Sequence, residues 1–394
     1  MVFFICLKVV LGEDEAVEDV EYMKKALQLA ALARGYTTPN PVVGCVIVKD
    51  GKIVGTGYHQ KAGTPHAEVW ALEEAGDAAA GATVYVTLEP CAHYGRTPPC
   101  ARTLVKHKVS KVVIAMLDPN PLVAGKGAAI LRQAGIAVEV GLLSQEAAYL
   151  NEVFIKNMLT QMPFIAIKLA QSLDGCIATK TGHSQWITNT WSRQQGHYLR
   201  SIYDGIVVGI NTVLADNPLL TCRIKREGGK VPHQPVRIVL DSQGRTPCTS
   251  LVVTDKTVQT IIVTTQRCTQ ERREALEKAG VRVLVAPMQD GKRVDLAKAL
   301  TLLYQEGIRS LLVEGGSTIH GSFFDAQLFD KVHVFLGNSV IGGTQALHAV
   351  AGEGVMNLSE CVPLVYQSVE IHDHNVYIQA YNQRREADYV HWNR

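Results

Sequence analysis

No run of about 18 apolar residues occurs in this chain, which has 394 residues, so no membrane-spanning helix is expected. Neither sign of charge is in excess. Lys and Arg number 39, Asp and Glu 37, and a formal net charge of +2 provides no polyelectrolyte surface for nucleic acid. Residues 1–12 are apolar but have no basic stretch, and they run into the acidic segment 13–21. That is unlike a secretory signal; the expectation is an N-terminal extension, residues 1–18, ahead of the first helix. A disulfide framework is also missing. The nine cysteines are scattered and odd in number, which suits reduced thiols in a cytoplasmic protein. No Gly-x-Gly-x-x-Gly follows a strand pattern as in a dinucleotide-binding fold.

What remains is an ordinary globular composition, 47% apolar and 19% charged, in a chain long enough for two domains. The first half alternates helix and strand patterns. Val20–Arg34 has helical periodicity and stops at Gly35. Val42–Val48 reads as a strand, Asp50-Gly51 as a hairpin turn and Ile53–Gly57 as its return strand. A helix is expected at His66–Ala75, strands at Thr83–Leu88 and Lys111–Met116, and a helix at Ala128–Gln133. Glu146–Thr160 reads as one helix ending before Pro163. Beyond it, strands are expected at Phe164–Ala170, Gly205–Val208, Val236–Leu240, Thr260–Val263, Val281–Val285 and Arg309–Glu314. Helices at Glu271–Lys278, Leu296–Glu306 and Thr318–Ala326 separate the later ones, and Lys331–Ala380 is β-rich. The expected domains are 19–161 and 162–382, with a charged tail at 383–394.

The chemistry concentrates between His66 and Cys100. His66-Ala67-Glu68 is followed by Glu89-Pro90-Cys91 and then Cys100. One imidazole and two thiolates fill three positions of a tetrahedral zinc site and leave the fourth for water. Glu68 can then move protons without ligating the metal. His-x-Glu followed by Pro-Cys and a further Cys is the signature of zinc deaminases of nucleobases, whose cysteines usually stand as Cys-x-x-Cys. Here eight residues separate Cys91 from Cys100. His93 is the one further candidate ligand, awkwardly placed two residues past Cys91, and is read as a substrate contact. The reaction class is hydrolytic deamination, with Glu68 as proton carrier. A deaminase of bases in RNA would share this chemistry; the near-neutral charge and the long Cys–Cys spacing argue against it. A non-catalytic zinc module is the other rival.

Thr38-Pro-Asn-Pro-Val-Val-Gly44, Pro65-His-Ala-Glu68, Val86 through Cys100 and Asp118-Pro-Asn-Pro-Leu-Val-Ala-Gly125 resemble the deaminase half of the bifunctional riboflavin biosynthesis family. Lys168 through Gly175, Ser184-Gln-Trp-Ile-Thr188, Gly209 through Pro218 and Val313-Glu-Gly-Gly-Ser317 resemble its reductase half. The resemblance spans roughly residues 20–382. It implies an α/β chain with an N-terminal cytidine-deaminase-like three-layer α/β/α domain and a C-terminal dihydrofolate-reductase-like domain.

The same resemblance implies roles. His66, Cys91 and Cys100 would ligate one zinc ion, with Glu68 the proton shuttle. Asn40, His59, His93 and Arg96 would hold a phosphoribosylated pyrimidine. In the second half NADPH would be contacted by Ala170, Trp186, Thr212, Asp216, Ser242 and Gly316. The substrate would be held by Ser184, Arg200, Leu220, Arg223 and Glu314, with Lys168 as a polar partner of the ribose. Gly315-Gly316-Ser317 before a helix can form an anion nest. The resemblance departs at Ala92, where the family usually has Ser. Small-molecule substrates, no nucleic acid, no membrane and a homo-oligomer, dimer before tetramer, complete the expectation.

Overall fold

The computed structural model describes residues 13–94, 98–121, 123–225 and 231–385. The chain packs as two units that meet between Leu159 and Thr160. Residues 1–12 of the expected extension 1–18, residues 386–394 of the expected tail 383–394, and Arg96 lie outside the described residues.

The first unit runs α1 (Glu13–Ala31), β1 (Gly44–Lys49), β2 (Lys52–Tyr58), α2 (Ala67–Ala75), β3 (Thr83–Val86), α3 (Cys100–Lys106), β4 (Lys111–Ile114), α4 (Lys126–Gln133), β5 (Ala137–Val140), α5 (Ser144–Leu150) and α6 (Glu152–Thr160). Its five-stranded sheet has the order β2-β1-β3-β4-β5. The β1–β2 and β1–β3 pairs are antiparallel, while β3, β4 and β5 are parallel. Alternation along β1 sorts the layers. Cys45 and Ile47 join Ala67, Ala71, Leu104 and Leu131 of α2, α3 and α4 in one core. A Cβ on Gly44 would meet the Ala26 carbonyl oxygen at 1.9 Å, so α1 lies tightly on the opposite face. The result is three layers, helix on sheet on helix.

Several boundaries differ from the sequence reading, for local reasons. α1 starts at Glu13, seven residues before the apolar periodicity becomes visible, because acidic residues favour a helix N-terminus. The expected helix 146–160 is two helices, α5 and α6, broken at Asn151. The Asn151 side chain caps the Val42 backbone, accepting from its N–H at 2.9 Å and donating to its carbonyl at 3.0 Å. The Asp50-Gly51 turn has positive φ at both residues, 49° and 71°, as a tight two-residue hairpin requires.

The second unit begins with β6 (Phe164–Gln171), β7 (Cys176–Ala178), α7 (Thr190–Arg200), β8 (Gly205–Gly209), α8 (Ile210–Asp216), β9 (Val236–Leu240), α9 (Leu251–Thr254), β10 (Thr260–Thr264), α10 (Gln270–Lys278) and β11 (Arg282–Val285). It continues with β12 (Met288–Gln289), β13 (Arg293–Val294), α11 (Leu296–Gln305), β14 (Ser310–Gly315), α12 (Ser317–Asp325), β15 (Lys331–Leu336), β16 (Leu347–His348), β17 (Leu364–His372) and β18 (Asn375–Asn382). Nine strands form one sheet in the order β11-β10-β9-β8-β14-β6-β15-β18-β17. All neighbours from β11 to β15 are parallel, and β15, β18 and β17 close the sheet antiparallel. The parallel strands are buried along nearly their whole length, as strands covered on both faces must be. β14 inserts between β8 and β6, so strand order reverses there. Open α/β sheets bind ligands beyond the strand C-termini at such a point. No helix among the described residues is long and apolar enough to cross a membrane.

Candidate active sites

In the first unit, three elements converge. Gly57 lets α2 press onto β2: a Cβ there would sit 2.2 Å from the Ala67 carbonyl oxygen. This fixes the N-terminus of α2, where His66 occupies the N-cap position in extended conformation and Glu68 lies in the first turn. Cys91 follows β3, and Cys100 opens α3. The Cys100 N–H donates to Cys91 Sγ at 3.2 Å, and the Ala101 N–H donates to the Cys91 carbonyl at 3.2 Å. The long Cys–Cys segment therefore returns its second thiol to the first by way of a helix N-terminus.

His66 Nδ1 lies 3.3 Å from Cys100 Sγ and 3.7 Å from Cys91 Sγ, and all three donor atoms fall within 4.8 Å of one another. Zinc bonds of about 2.0–2.1 Å to nitrogen and 2.3 Å to sulfur imply tetrahedral edges of roughly 3.5–3.8 Å. The donor set fits zinc in both chemistry and spacing. The paired cysteines favour thiolate at Cys91, which accepts hydrogen bonds from the Cys100 thiol and from His66, while the Cys100 thiol is pushed up as the donor of the pair. Glu68 is buried, and that burial holds its carboxyl up at about 6. A group poised there can take and return a proton near neutral pH.

The structure brings Asn40 and His59 to this site. The Pro65 carbonyl accepts from His59 Nδ1 at 3.2 Å, so Nε2 is the acceptor for Asn40 Nδ2, also at 3.2 Å. Burial lowers the His59 pKa, and its ring meets that of His66 edge-on with centroids 5.5 Å apart. His93 is exposed beside Asp118. Sequence reasoning missed Glu89. Its buried carboxylate accepts from the N–H groups of Asp118, Gly125 and Ala128 at 3.2, 2.9 and 3.0 Å. It thereby binds the loop before α4 to the turn that carries Cys91. Only its place beside Pro90-Cys91 hinted at this.

In the second unit a cavity of about 1200 Å³ opens beyond the strand C-termini. Lys168, Ser184, Arg200, Arg223 and Glu314 line it, as do Ala170, Trp186, Thr212, Asp216, Ser242 and Gly316. Its ionic centre is Glu314, at the end of β14. Arg200, in the last turn of α7, donates to both carboxylate oxygens, Nε at 2.6 Å and Nη2 at 2.8 Å. Lys168 of the neighbouring strand stands 3.6 Å away. Burial alone would raise the Glu314 pKa, but Arg200 and Lys168 bring it down to about 2. Arg200 Nη1 also donates to the Thr221 carbonyl at 3.1 Å, so this arginine is held in place by the protein. Trp186 is exposed, with the Arg193 guanidinium 4.5 Å from its ring centroid.

Leu220 does not line the cavity. It is buried with Ile210, Val213 and Val252, and its φ of 53° turns the chain there. His197 was not foreseen. It lines the cavity, accepts the Arg223 N–H at Nδ1 (3.3 Å), and is pushed down to about 4 by burial and by Arg200 and Arg223. For a cofactor phosphate, Gly316 precedes α12 as its N-cap, and the buried Ser317 Oγ has no hydrogen-bond partner among the described residues. Such an orphaned hydroxyl at a helix N-terminus fits an anion.

A His-Cys-Cys donor triangle with a buried glutamate on one α/β unit, and an ionic cavity at the strand ends of another, define a zinc deaminase fused to a reductase. Residues 16–116 match the cytidine and deoxycytidylate deaminase zinc-binding region, and residues 163–373 match the RibD C-terminal domain. The riboflavin biosynthesis protein RibD of Bacillus amyloliquefaciens is 43% identical over 348 residues, covering 88% of this chain and 92% of that protein. RibD of Escherichia coli K12 is 45% identical over 335 residues, covering 83% and 89%. Among solved structures, Acinetobacter baumannii RibD superposes with a TM-score of 0.81 at 39% identity, over 93% of this chain and 99% of that one. A diaminohydroxyphosphoribosylaminopyrimidine deaminase/5-amino-6-(5-phosphoribosylamino)uracil reductase from Thermotoga maritima gives 0.80 at 34%, over the same shares. The chain belongs to the RibD family, the bifunctional deaminase/reductases of riboflavin biosynthesis. The cytidine-deaminase-like and dihydrofolate-reductase-like folds read from the sequence are those of this family. Its deaminase domain binds zinc and its reductase uses NADPH.

Proposed function

We propose that the first domain, residues 19–161, hydrolytically deaminates 2,5-diamino-6-(5-phosphoribosylamino)pyrimidin-4(3H)-one. The second, residues 162–382, then reduces the ribosyl group of 5-amino-6-(5-phosphoribosylamino)uracil to the ribityl form with NADPH. The carrying observation is the donor triangle of His66, Cys91 and Cys100, with Glu68 buried in the adjoining turn. The Thermotoga relative, whose description names both activities, supports the choice of substrates.

His66, Cys91 and Cys100 would hold the zinc ion, which would supply activation of a water molecule at neutral pH. Glu68 accepts the proton of the attacking water and passes it to the leaving amine. Asn40 and His59, hydrogen-bonded to each other, orient the pyrimidine, and His93 and Arg96 hold the ribose phosphate. In the second domain Ala170, Trp186, Thr212, Asp216, Ser242 and Gly316, which line the cavity, would hold NADPH, whose chemistry there would be hydride supply to ribose C1′. Glu314, fixed by Arg200 and Lys168, presents a permanently ionised acceptor to the sugar. Ser184, Arg200 and Arg223, which line the cavity, surround the substrate and its phosphate.

A homo-oligomer, dimer first, is supported by the sheet edge at β17, which exposes Tyr366, Val369 and Ile371. A cytoplasmic setting is supported by the cysteines, which are free thiols throughout the described residues. The test is ammonia release from the diaminopyrimidine, NADPH oxidation with its deaminated product, and bound zinc measured on the same preparation. Efficient deamination of adenosine-containing RNA, with none of the pyrimidine, would overturn the first half. Absence of NADPH turnover would overturn the second.

A further inference from the structure

A buried polar atom without a partner marks a place where a ligand completes the bonding. α12 carries two such atoms one turn apart on the same face, Ser317 Oγ and His320 Nε2. Both residues are buried, and both line the reductase cavity. The serine belongs to the nest at the helix N-terminus. His320 serves none of the contacts assigned to the cofactor or the substrate.

One nitrogen of the His320 ring is engaged. Nδ1 lies 2.9 Å from the Ala349 carbonyl oxygen. A carbonyl only accepts, so Nδ1 carries the proton and Nε2 offers a lone pair. Burial pushes the pKa of the ring down to about 4, and the charge of Lys168 works in the same direction. The imidazole is therefore neutral near pH 7, and Nε2 is an acceptor only. Bracing the segment after β16 does not need that atom. The Ala351 N–H donates to the Ser317 carbonyl at 3.1 Å, and a Cβ on Gly321 would meet the Ala351 carbonyl oxygen at 1.5 Å, so the segment packs hard on α12 without it. Bracing uses Nδ1; Nε2 is left desolvated, which is costly unless a donor reaches it.

His320 stands beside the ionic centre, near enough for the charges of both Lys168 and Glu314 to act on its titration. The acceptors of that centre are partly used. Arg200 takes both Glu314 oxygens, at 2.6 and 2.8 Å, and Lys168 stands 3.6 Å from one of them. Lys168 and Arg200 are donors only. Nε2 is an acceptor that no group among the described residues occupies. A phosphoribosyl group brings hydroxyl donors to such a site, whereas its phosphate would meet a lone pair and the Glu314 carboxylate, which repel it.

We infer that His320 Nε2 accepts a hydrogen bond from a sugar hydroxyl of the phosphoribosyl substrate, which makes His320 a further substrate contact of the reductase and fixes which end of the sugar faces Glu314. The inference rests on the reading of the second domain as the reductase of 5-amino-6-(5-phosphoribosylamino)uracil.

His320→Asn tests the atom. The asparagine amide nitrogen can stand where Nδ1 stands and donate to Ala349, while nothing replaces Nε2. His320→Gln is the complement, since its longer side chain carries an amide oxygen to the Nε2 position. NADPH oxidation by the full chain is followed with 5-amino-6-(5-phosphoribosylamino)uracil and NADPH varied in turn. His320→Asn should raise the KM for the pyrimidine about three- to tenfold, the loss of one neutral hydrogen bond. The KM for NADPH and the deaminase rate should stay unchanged, and His320→Gln should recover part of the loss. A wild-type KM for the pyrimidine in His320→Asn would overturn the contact. A rise confined to the KM for NADPH would also overturn it, by assigning the donor to the carboxamide of the cofactor. Where His320→Asn lowers the unfolding temperature as well, His320→Gln and His320→Ala decide: a lower pyrimidine KM in the glutamine variant upholds the contact, and equal values sink it. A wild-type chain that deaminates but does not oxidise NADPH would remove the reductase reading itself. Normal turnover in wild type and in His320→Asn alike would remove the His320 contact alone.

Discussion

The two sites are built on opposite plans. The deaminase centre is three donor atoms within 4.8 Å of one another, held by the N-terminal ends of α2 and α3 and the turn after β3. The reductase site is a cavity of about 1200 Å³ reaching across the ends of β6, β14, β8 and β9. A metal needs few ligands at short range, and helix ends hold those rigidly. A dinucleotide and a phosphorylated sugar need many weak contacts spread over a long surface, and a parallel sheet with a strand-order reversal supplies that surface. The electrostatics differ in the same sense. Burial raises Glu68 to about 6 so that it can exchange a proton, whereas Arg200 and Lys168 hold Glu314 ionised at about 2.

If the sites are independent, damage to one spares the other. Glu68→Gln has the largest expected effect: deamination falls by about 10² to 10⁴, zinc content stays unchanged, and NADPH oxidation with the deaminated substrate is unaffected. Deamination at the wild-type rate would remove Glu68 from the mechanism. Glu314→Ala is the mirror experiment. It strands Arg200 and Lys168, and breaking a buried pair in this way costs about 3–5 kcal/mol. Reductase activity and the stability of the second unit should fall together while deamination persists.

The same carboxylate sets a pH dependence. Its folded value is about 2 against an ordinary 4.5. The stabilisation is therefore full above the ordinary value and is lost as pH falls toward 2. Acid titration of wild type against Glu314→Ala should show this slope only in wild type; parallel curves would mean that the pair contributes nothing.

Gly127→Ala probes the deaminase scaffold. An added Cβ would lie 2.0 Å from the Pro90 carbonyl oxygen, against the turn that presents Cys91. A loss of about 1–3 kcal/mol in the first unit is expected, with weakened zinc retention measurable by competition with a chelator. Retention equal to wild type would show that the turn adapts. The smallest effect is expected of Asn40→Ala, which removes the partner of His59 Nε2. It should raise the deaminase KM by about tenfold with little change in kcat. A kcat loss without a KM change would make Asn40 part of the chemistry instead.

The two plans also explain what could be read in advance. His66, Glu68, Cys91 and Cys100 are rare residue types for zinc chemistry at diagnostic spacings, so the metal centre was legible as a motif. The reductase half became legible only through its resemblance to a family, because Ala170, Thr212 or Ser242 signals nothing by residue type. The Lys168–Glu314–Arg200 centre joins residues more than a hundred positions apart, and no periodicity reveals which arginine a carboxylate will meet. Leu220 carried no sign that its side chain would turn into the core. Glu89 looked like a spacer before Pro90.

By itself, the sequence determined the alternation of strands and helices, the division into two α/β halves, the zinc chemistry and the family. These follow from local periodicity, turn residues and ligand types, which act over a few bonds or one helical turn. Only the tertiary structure decided that β14 enters between β8 and β6 and that Arg200 is spent on Glu314. Each of these depends on long-range packing, where burial and charge compensation select the partner rather than nearness along the chain.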